Sequence, residues 1–415
     1  MKLWGICCGQ IPFGEGRSHV MGNEDSTGMP GRMTSRERVL TAMRREESDR
    51  VPLVLWGSYY TLNDDTYFNL LRHLGLGEPL PPFRRELSRN SNYYDDRVLD
   101  RLETDARYVW SGFTDLGGAK MSGDGHDAWG VRWQRRGPNI MSTASPLAGA
   151  TLEEVEEYGW PDPAQYFDFE LIEQRLASLK RNYACHAIGA RAVNSYGPFE
   201  QASVLRGREQ FLMDTVLQPE LAQRLIDRCT DVIIHGQQVY LDKVGKDVDF
   251  FEIPGDDYGA NRFLMFSPDT FRRMVRPALA RIVQSVKDYR ADLPVVFHSD
   301  GAIADIIPDL VEIGIDVLNP LEPLPATDWP GIKSQYGQRL CFMGGIDVRR
   351  AMTGPIEGVI EEVKKQIGIF GPGGGYILTP ANHLQIDVPP ENIVAMFDAG
   401  RRFGQYPLDL SRKNK

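Results

Sequence analysis

His298 and Asp300 stand two residues apart in VVFHSDG, and residues so spaced on an extended chain project to the same side. An imidazole beside carboxylates can ligate a divalent ion or work as a general acid or base with a carboxylate orienting its ring. Further ionisable or amide residues close other short apolar runs. Asp256 and Asp257 follow VDFFEI, Asn319 ends IDVLN, Asp347 follows LCFMGGI, and Asn382 and His383 follow YILTP. As a metal site the expected ligands are His298, His383 and one acid, Glu252 or an acid of the 256 to 257 pair, with a fourth position left for substrate. As acid-base machinery the expected residues are Asp257, Asp300 and His298. Asp256, Asn319, Asn382 and Arg191 are expected to bind substrate. The plainer alternative makes His298 a hydrogen-bonded strand-end residue and Asp300 the cap of the helix AIADIIPDLVEIG.

For these residues to meet, the runs that carry them must be neighbouring strands. From residue 184 onward ACHAIGA, VDFFEI, LPVVFHS, IDVLNP, LCFMGGI and YILTP recur, most of them separated by segments of helical length. Such alternation predicts a parallel sheet with helical crossovers. No glycine-rich dinucleotide fingerprint follows any strand, which favours an α/β (β/α)8 barrel over a doubly wound sheet, with VPLVLW at 51 to 56 as an early strand. In a barrel the chemistry sits at the carboxyl ends of the strands, where the residues above fall. Thr34 and Glu37 have capping-box spacing, Ser267-Pro268-Asp269 opens a helix, and Pro389-Pro390-Glu391 opens the last one. GPGGG at 371 to 375 lies between a helix and a strand and is expected to be a tight turn on the face opposite the site, not a phosphate cradle. Residues 60 to 180 are expected to form an irregular insertion, with DAWGVRW at 127 to 133 as a strand or hairpin arm. His126, beside Asp124 and Asp127, falls there and is expected at the surface; His73, His186 and His235 are assigned structural roles. Residues 1 to 32 read as a flexible extension and 33 to 410 as one domain.

Composition narrows the class. A formal charge of −10 offers no basic footprint for nucleic acid, and no window approaches a membrane span. Five scattered cysteines without CxxC spacing suggest neither a disulfide framework nor a cysteine-only zinc site, so a cytoplasmic setting is expected. Cys341 is expected to pack as a small hydrophobe.

Several blocks in order, TSRERVLTAMRREESDRVP, GPFEQASVLRG, GDDYG, FSPDTFRRMVRP, FHSDGAIADIIPDLVEIGIDVLNPLEP, GGIDVRRAMTGP and GGGYILTPANHLQIDVPPENI, resemble the uroporphyrinogen decarboxylase superfamily. The resemblance implies a TIM barrel with its pocket at the carboxyl mouth. It spans cofactor-free decarboxylases of tetrapyrrole acetate groups and methyltransferases that use a corrinoid. The decarboxylases carry MRQAGR after their first strand, where arginines meet substrate carboxylates; here the place reads LWGSYYTLNDD, and Arg191 and Arg262 are the candidate substitutes. The thiol-activating methyltransferases carry His-x-Cys and a later Cys as zinc ligands. Here these positions read His298-Ser299-Asp300 and Asn382-His383, a harder donor set suited to zinc acting on a methoxy or alkoxy oxygen. The expected function is therefore a corrinoid-linked methyltransferase or demethylase component, with zinc bound and the corrinoid carried by a partner protein. The alternatives are a metal-free decarboxylase of uroporphyrinogen or another small carboxylate and a non-catalytic tetrapyrrole or corrinoid binder; a homodimer is left open.

Overall fold

Each of the six expected apolar runs forms a strand, and a seventh joins them. The computed structural model describes residues 33–55, 61–80, 96–109, 125–136, 139–191 and 196–411. The extension expected at 1–32 and Asp124 lie outside the described residues. Seven strands, β1 (Ala106–Val109), β4 (Ala187–Ala190), β5 (Phe250–Glu252), β6 (Val295–His298), β7 (Val317–Asn319), β8 (Cys341–Ile346) and β9 (Tyr376–Pro380), pair in that order. Every pairing is parallel. β2 (Arg132–Arg136) and β3 (Asn139–Ala144) form a separate antiparallel pair, as the hairpin reading of 127 to 133 anticipates.

The segment expected as an early strand lies beside both edges of this sheet. Leu53 makes a parallel bridge to Leu378, the Val54 amide donates to the Leu378 carbonyl at 3.0 Å, and the Leu53 carbonyl accepts from the Asp105 amide at 2.8 Å. Asp105, fully buried, accepts from Arg38 Nη1 at 2.6 Å, from both terminal nitrogens of Arg50 at 2.8 and 2.9 Å, and from the Leu53 amide at 2.8 Å. This network fastens residues 38 to 53 to the start of β1.

β1 falls within the stretch expected to be an irregular insertion. It has only four residues, and Arg107 breaks its apolar pattern. That guanidinium is buried, with its terminal nitrogens bonded to Asp100 and Thr104 and its plane near the Tyr183 ring, while its Nε has no hydrogen-bond partner and lies 3.7 Å from Asp96. The helix Phe169–Asn182 follows, so the stretch supplies a strand and helix of the main sheet.

Alternate side chains on the strands divide between two faces. On one, Tyr108 and Phe250 meet edge to face at 5.6 Å over Gly189, where a Cβ would lie 2.4 Å from the Phe250 ring. On the other, Phe342 and Tyr376 stack on Phe370 of the helix Ile356–Phe370. Cys341 is buried in the core. The expected caps form: Thr34 and Glu37 make a reciprocal capping box, and Ser267 accepts from the Thr270 amide. Residues 371 to 375 link the helix Ile356–Phe370 to β9, with positive φ at Gly373, Gly374 and Gly375. Among the described residues no helix is long and apolar enough to cross a membrane.

Candidate functional site

β6 ends at His298, which is 3% exposed and pairs in register with Asn319 at the end of β7. His298 Nδ1 lies 2.6 Å from Asn319 Oδ1, while Asn319 Nδ2 donates to the Met343 carbonyl at 3.1 Å. The second bond fixes the amide orientation, so its oxygen faces the imidazole and the Nδ1 position must carry the proton. Nε2 is thereby presented to Asp300 Oδ1 at 3.6 Å and Asp257 Oδ1 at 3.9 Å. Asn319, expected to bind substrate, instead holds the ring in one tautomer.

The loops after β5 and β6 run side by side as a hydrogen-bonded ladder. The Asp256 amide donates to the His298 carbonyl, Tyr258 N to Ser299 Oγ, Asp300 N to Asp257 Oδ1, Gly259 N to the Asp300 carbonyl and Ala302 N to the Ala260 carbonyl, at 2.9 to 3.2 Å. So close an approach leaves no room for a side chain. At Gly301, with φ +88, a Cβ would fall 2.2 Å from the Gly259 carbonyl carbon. The ladder sets Asp257 and Asp300 at a fixed spacing on either side of Nε2.

Asp300 has a second anchor, for Asn382 Nδ2 donates to its Oδ2 at 2.8 Å, and the Asn382 side chain in turn accepts from the His383 amide. Its Oδ1 is buried with no hydrogen-bond partner and faces His298. Asp300 is not a helix cap: the first helical turn starts at Ala304, three residues beyond Gly301, and follows Ile303. Asn382 thus supports Asp300 and does not stand free for substrate.

The two carboxylates titrate in opposite directions. Burial raises Asp257 and the Asp300 charge raises it further, with His298 only partly offsetting this. Burial also penalises Asp300, but His298, Asn382 and His383 outweigh it and hold Asp300 below the usual range. For His298 burial favours the neutral ring, and the Asp300 and Asp257 charges together with Asn319 overcome this to raise its pKa. The site therefore holds two neighbouring carboxyls pushed apart, Asp257 upward and Asp300 downward.

Among the described residues, Asp257, His298 and Asp300 offer ligand atoms that all lie within 4.8 Å of one another. Of the expected ligands the group contains His298 and Asp257, the second acid of the 256 to 257 pair, and it has Asp300 in place of His383. Glu252, 1% exposed, sits 3.6 Å from the Arg191 guanidinium, and His383 lies outside the three-residue group. Arg191, expected on substrate, faces that carboxylate. Asp256, also expected on substrate, is fully buried and accepts from the amides of Phe199 and Glu200 at 2.8 and 2.6 Å and from Tyr258 Oη at 3.1 Å. It clamps the start of the helix Pro198–Arg206, while its neighbour Asp257 turns toward His298. Asp347 caps its own turn through the amides of Arg349 and Arg350. Asp127 accepts from Trp129 N, Val131 N and Trp133 Nε1, closing the turn before β2, so it is a structural acid.

Two further acids near the cluster are not among the residues that the sequence reading singles out. Glu322 follows β7 by three residues, accepts from the Gly301 amide at 3.0 Å and pairs with Arg349. Glu200 lies in the first turn of the helix Pro198–Arg206 and accepts from Arg208 Nη2 at 2.7 Å.

Sheet and site together define a parallel α/β protein whose ionisable cluster stands at the carboxyl ends of neighbouring strands. Residues 147–403 match the sequence profile of the uroporphyrinogen decarboxylase (URO-D) family, and the chain belongs to that family. Uroporphyrinogen decarboxylase of Anaeromyxobacter dehalogenans (strain 2CP-C) is 28% identical over 131 residues, covering 31% of this chain and 35% of that protein. The enzyme of the same name from Psychromonas ingrahamii (strain DSM 17664 / CCUG 51855 / 37) is 24% identical over 186 residues, 44% of this chain and 48% of its own. The chain thus aligns with between a third and a half of the length of these relatives. A methyltransferase from Methanosarcina mazei has the same fold, with a TM-score of 0.63 at 19% identity over 89% of this chain and 99% of that one. At these identities the chain is a divergent member of the family.

Proposed function

We propose that the protein is a methyltransferase that moves a methyl group from a small methylated or methoxylated compound to a corrinoid carried by a partner protein. The observation that carries this reading is the approach of Asp257, His298 and Asp300 to one point, with His298 Nε2 aimed there by Asn319. One nitrogen and two carboxylate oxygens form a hard donor set for a divalent ion such as zinc, and the buried, unbonded Asp300 Oδ1 is suited to be one of the donors. The bond from Nδ1 to Asn319 is the kind of outer contact that metal-bound histidines usually have. Zinc bound there would supply Lewis acidity, polarising a methoxy or alkoxy oxygen. The chain's own residues fix the ring through Asn319, keep Asp300 ionised through His298 and Asn382, and place Asp257 on the other side of Nε2. We take residues 51 to 55 as the eighth stave that completes a (β/α)8 barrel around this mouth, on the strength of the bonds from Leu53 and Val54.

A second reading is favoured by one observation, the raised Asp257 beside the ionised Asp300. A carboxyl whose hold on its proton is strengthened, next to one kept anionic, suits a metal-free decarboxylase, in which the carbanion left by carbon dioxide needs a proton. The two readings separate in one assay. The protein is incubated with cob(I)alamin and a panel of methoxylated and methylated compounds, with and without chelator. Chelator-sensitive formation of methylcobalamin supports methyl transfer; carbon dioxide release that survives chelator supports decarboxylation.

A further inference from the structure

Two segments beside the candidate site turn large apolar side chains to solvent. After Tyr258 the chain folds back on itself: Gly259 makes an antiparallel bridge to Leu264, the Ala260 amide donates to the Phe263 carbonyl at 2.8 Å, and the Met265 amide donates to the Tyr258 carbonyl at 2.8 Å. Successive side chains on such a hairpin point to opposite sides. Leu264 therefore turns inward and is buried, while Met265 and Phe263 turn out, the latter 67% exposed. The helix Arg208–Leu217 is divided in the same way. Its Phe211, Asp214 and Thr215 are buried, while Met213, Val216 and Leu217, at helical spacing on another face, are exposed, the last two at 74% and 72%. Both segments pack on Phe199, whose ring lies 4.5 Å from Phe266 and 5.1 Å from Phe211, so the two are neighbours. This ground is tied to the site. The Ala302 amide, in the loop that carries Asp300, donates to the Ala260 carbonyl, and the Phe199 amide is held by Asp256, next to Asp257.

Charge narrows what covers this ground. Arg272 and Arg276, in the helical stretch after the hairpin, are paired with Asp309 and Glu312. Arg262, at the hairpin tip, and Arg273 are exposed and have no ion pair among the described residues. Two uncompensated cations beside an apolar patch, on a chain of formal charge −10, fit a partner whose apolar contact is edged with carboxylates. A second copy would bring the same two arginines to the contact in place of acids. We propose that the hairpin at 258 to 265 and the outer stripe of the helix Arg208–Leu217 are the seat of the corrinoid-carrying protein. The inference rests on the methyl-transfer reading, and it adds where that partner sits and what surface it offers. A corrinoid held by another protein reaches the Asp257, His298 and Asp300 cluster only if that protein covers the strand-end mouth, and this seat borders the loop that carries Asp257. The bonds between the hairpin and the Asp300 loop turn docking on Phe263 into a fixed placement of the corrinoid over the cluster.

The test uses the full-length protein, the methyl donor that emerges from the panel above, and two acceptors. One is free cob(I)alamin; the other is the corrinoid protein purified from the native host by its cobalamin absorbance and its ability to accept methyl groups from wild type. When Phe263→Ser is combined with Leu217→Gln, the KM for the corrinoid protein should rise about tenfold or more at nearly constant kcat, with transfer to free cob(I)alamin within about twofold of wild type. When Arg262→Glu is combined with Arg273→Glu, the same KM should rise and should lose the increase that added sodium chloride causes in wild type. Unchanged KM in both double variants overturns the seat and leaves methyl transfer standing. Equal losses with both acceptors also overturn it, because these residues would then serve the reaction and not the partner. So does transfer to free cob(I)alamin with no corrinoid protein of the host accepting. Light scattering supplies a further check: a wild-type dimer that Phe263→Ser with Leu217→Gln converts to monomers assigns the face to a second copy. No transfer to either acceptor overturns the methyltransferase reading itself, and the seat with it.

Discussion

Replacing Asn319 with leucine removes the side chain that links the imidazole of His298 to the Met343 carbonyl of β8, at nearly constant volume. Asn319 is 1% exposed, so water cannot replace its bonds without opening the sheet. The Nδ1–H of His298 loses its acceptor at 2.6 Å, and the Met343 carbonyl loses a donor at 3.1 Å. Leaving a buried N–H unpaired costs about 1–3 kcal/mol; the carbonyl costs less because it has a second lone pair. The expected loss of stability is therefore about 2–4 kcal/mol, read from urea denaturation at constant m-value. The ring is also released to rotate and to exchange tautomers, so Nε2 is no longer held toward Asp257 and Asp300. Loss of such an outer contact typically weakens metal binding by about 10–100-fold, measurable by competition with a chromophoric zinc chelator. Asn319→Asp restores an acceptor for Nδ1–H but opposes an oxygen to the Met343 carbonyl, so affinity should recover more than stability. Zinc affinity within about twofold of wild type in a folded Asn319→Leu protein would refute the tautomer argument, because it would show that another group orients the ring.

Other perturbations probe the elements around the site. Gly301→Ala places a Cβ against the Gly259 backbone at a φ of +88, which costs about 1–2 kcal/mol before any collision is relieved, and should loosen the loop ladder. Its check is a lowered urea midpoint together with faster amide exchange at Gly259 and Ala302; an unchanged midpoint would show that the two loops are not locked. Asp105→Ala strands Arg38 and Arg50 without their shared carboxylate and should cost about 3–5 kcal/mol in the same denaturation assay. Asp105 is held below its ordinary pKa, the arginines outweighing the burial penalty, so its contribution is present above the unfolded carboxylate range and is lost as pH falls through its folded value. Wild type should accordingly lose more stability on acidification than Asp105→Asn, and parallel curves for the two would contradict the network's role.

The sheet was legible because buried parallel strands read as short unbroken apolar runs, and β4 to β9 have that signature. β1 did not, because its burial of Arg107 depends on Asp100, Thr104 and Tyr183, contacts a linear pattern cannot carry. His298, Asp300 and Asp257 were singled out from their place after strands, and the structure brings them together. What strand-end logic could not do was sort ionisable residues by the direction they face. Asp256 and Asp257 are adjacent, yet one clamps a helix start and the other turns to His298. Glu252 follows the rule for position but is paired with Arg191, and Asn319 supports His298. Glu200 escaped notice because it begins a crossover helix, and only the fold brings that helix to the mouth.

The measurement that bears most directly on the central claim is the metal content of purified protein after incubation with zinc and removal of excess, for wild type beside His298→Ala. The account predicts about one zinc per chain in wild type and loss of that zinc in a variant still folded by circular dichroism. Wild-type protein that retains no zinc, or a His298→Ala protein that retains it fully, would contradict the assignment of Asp257, His298 and Asp300 as a metal centre.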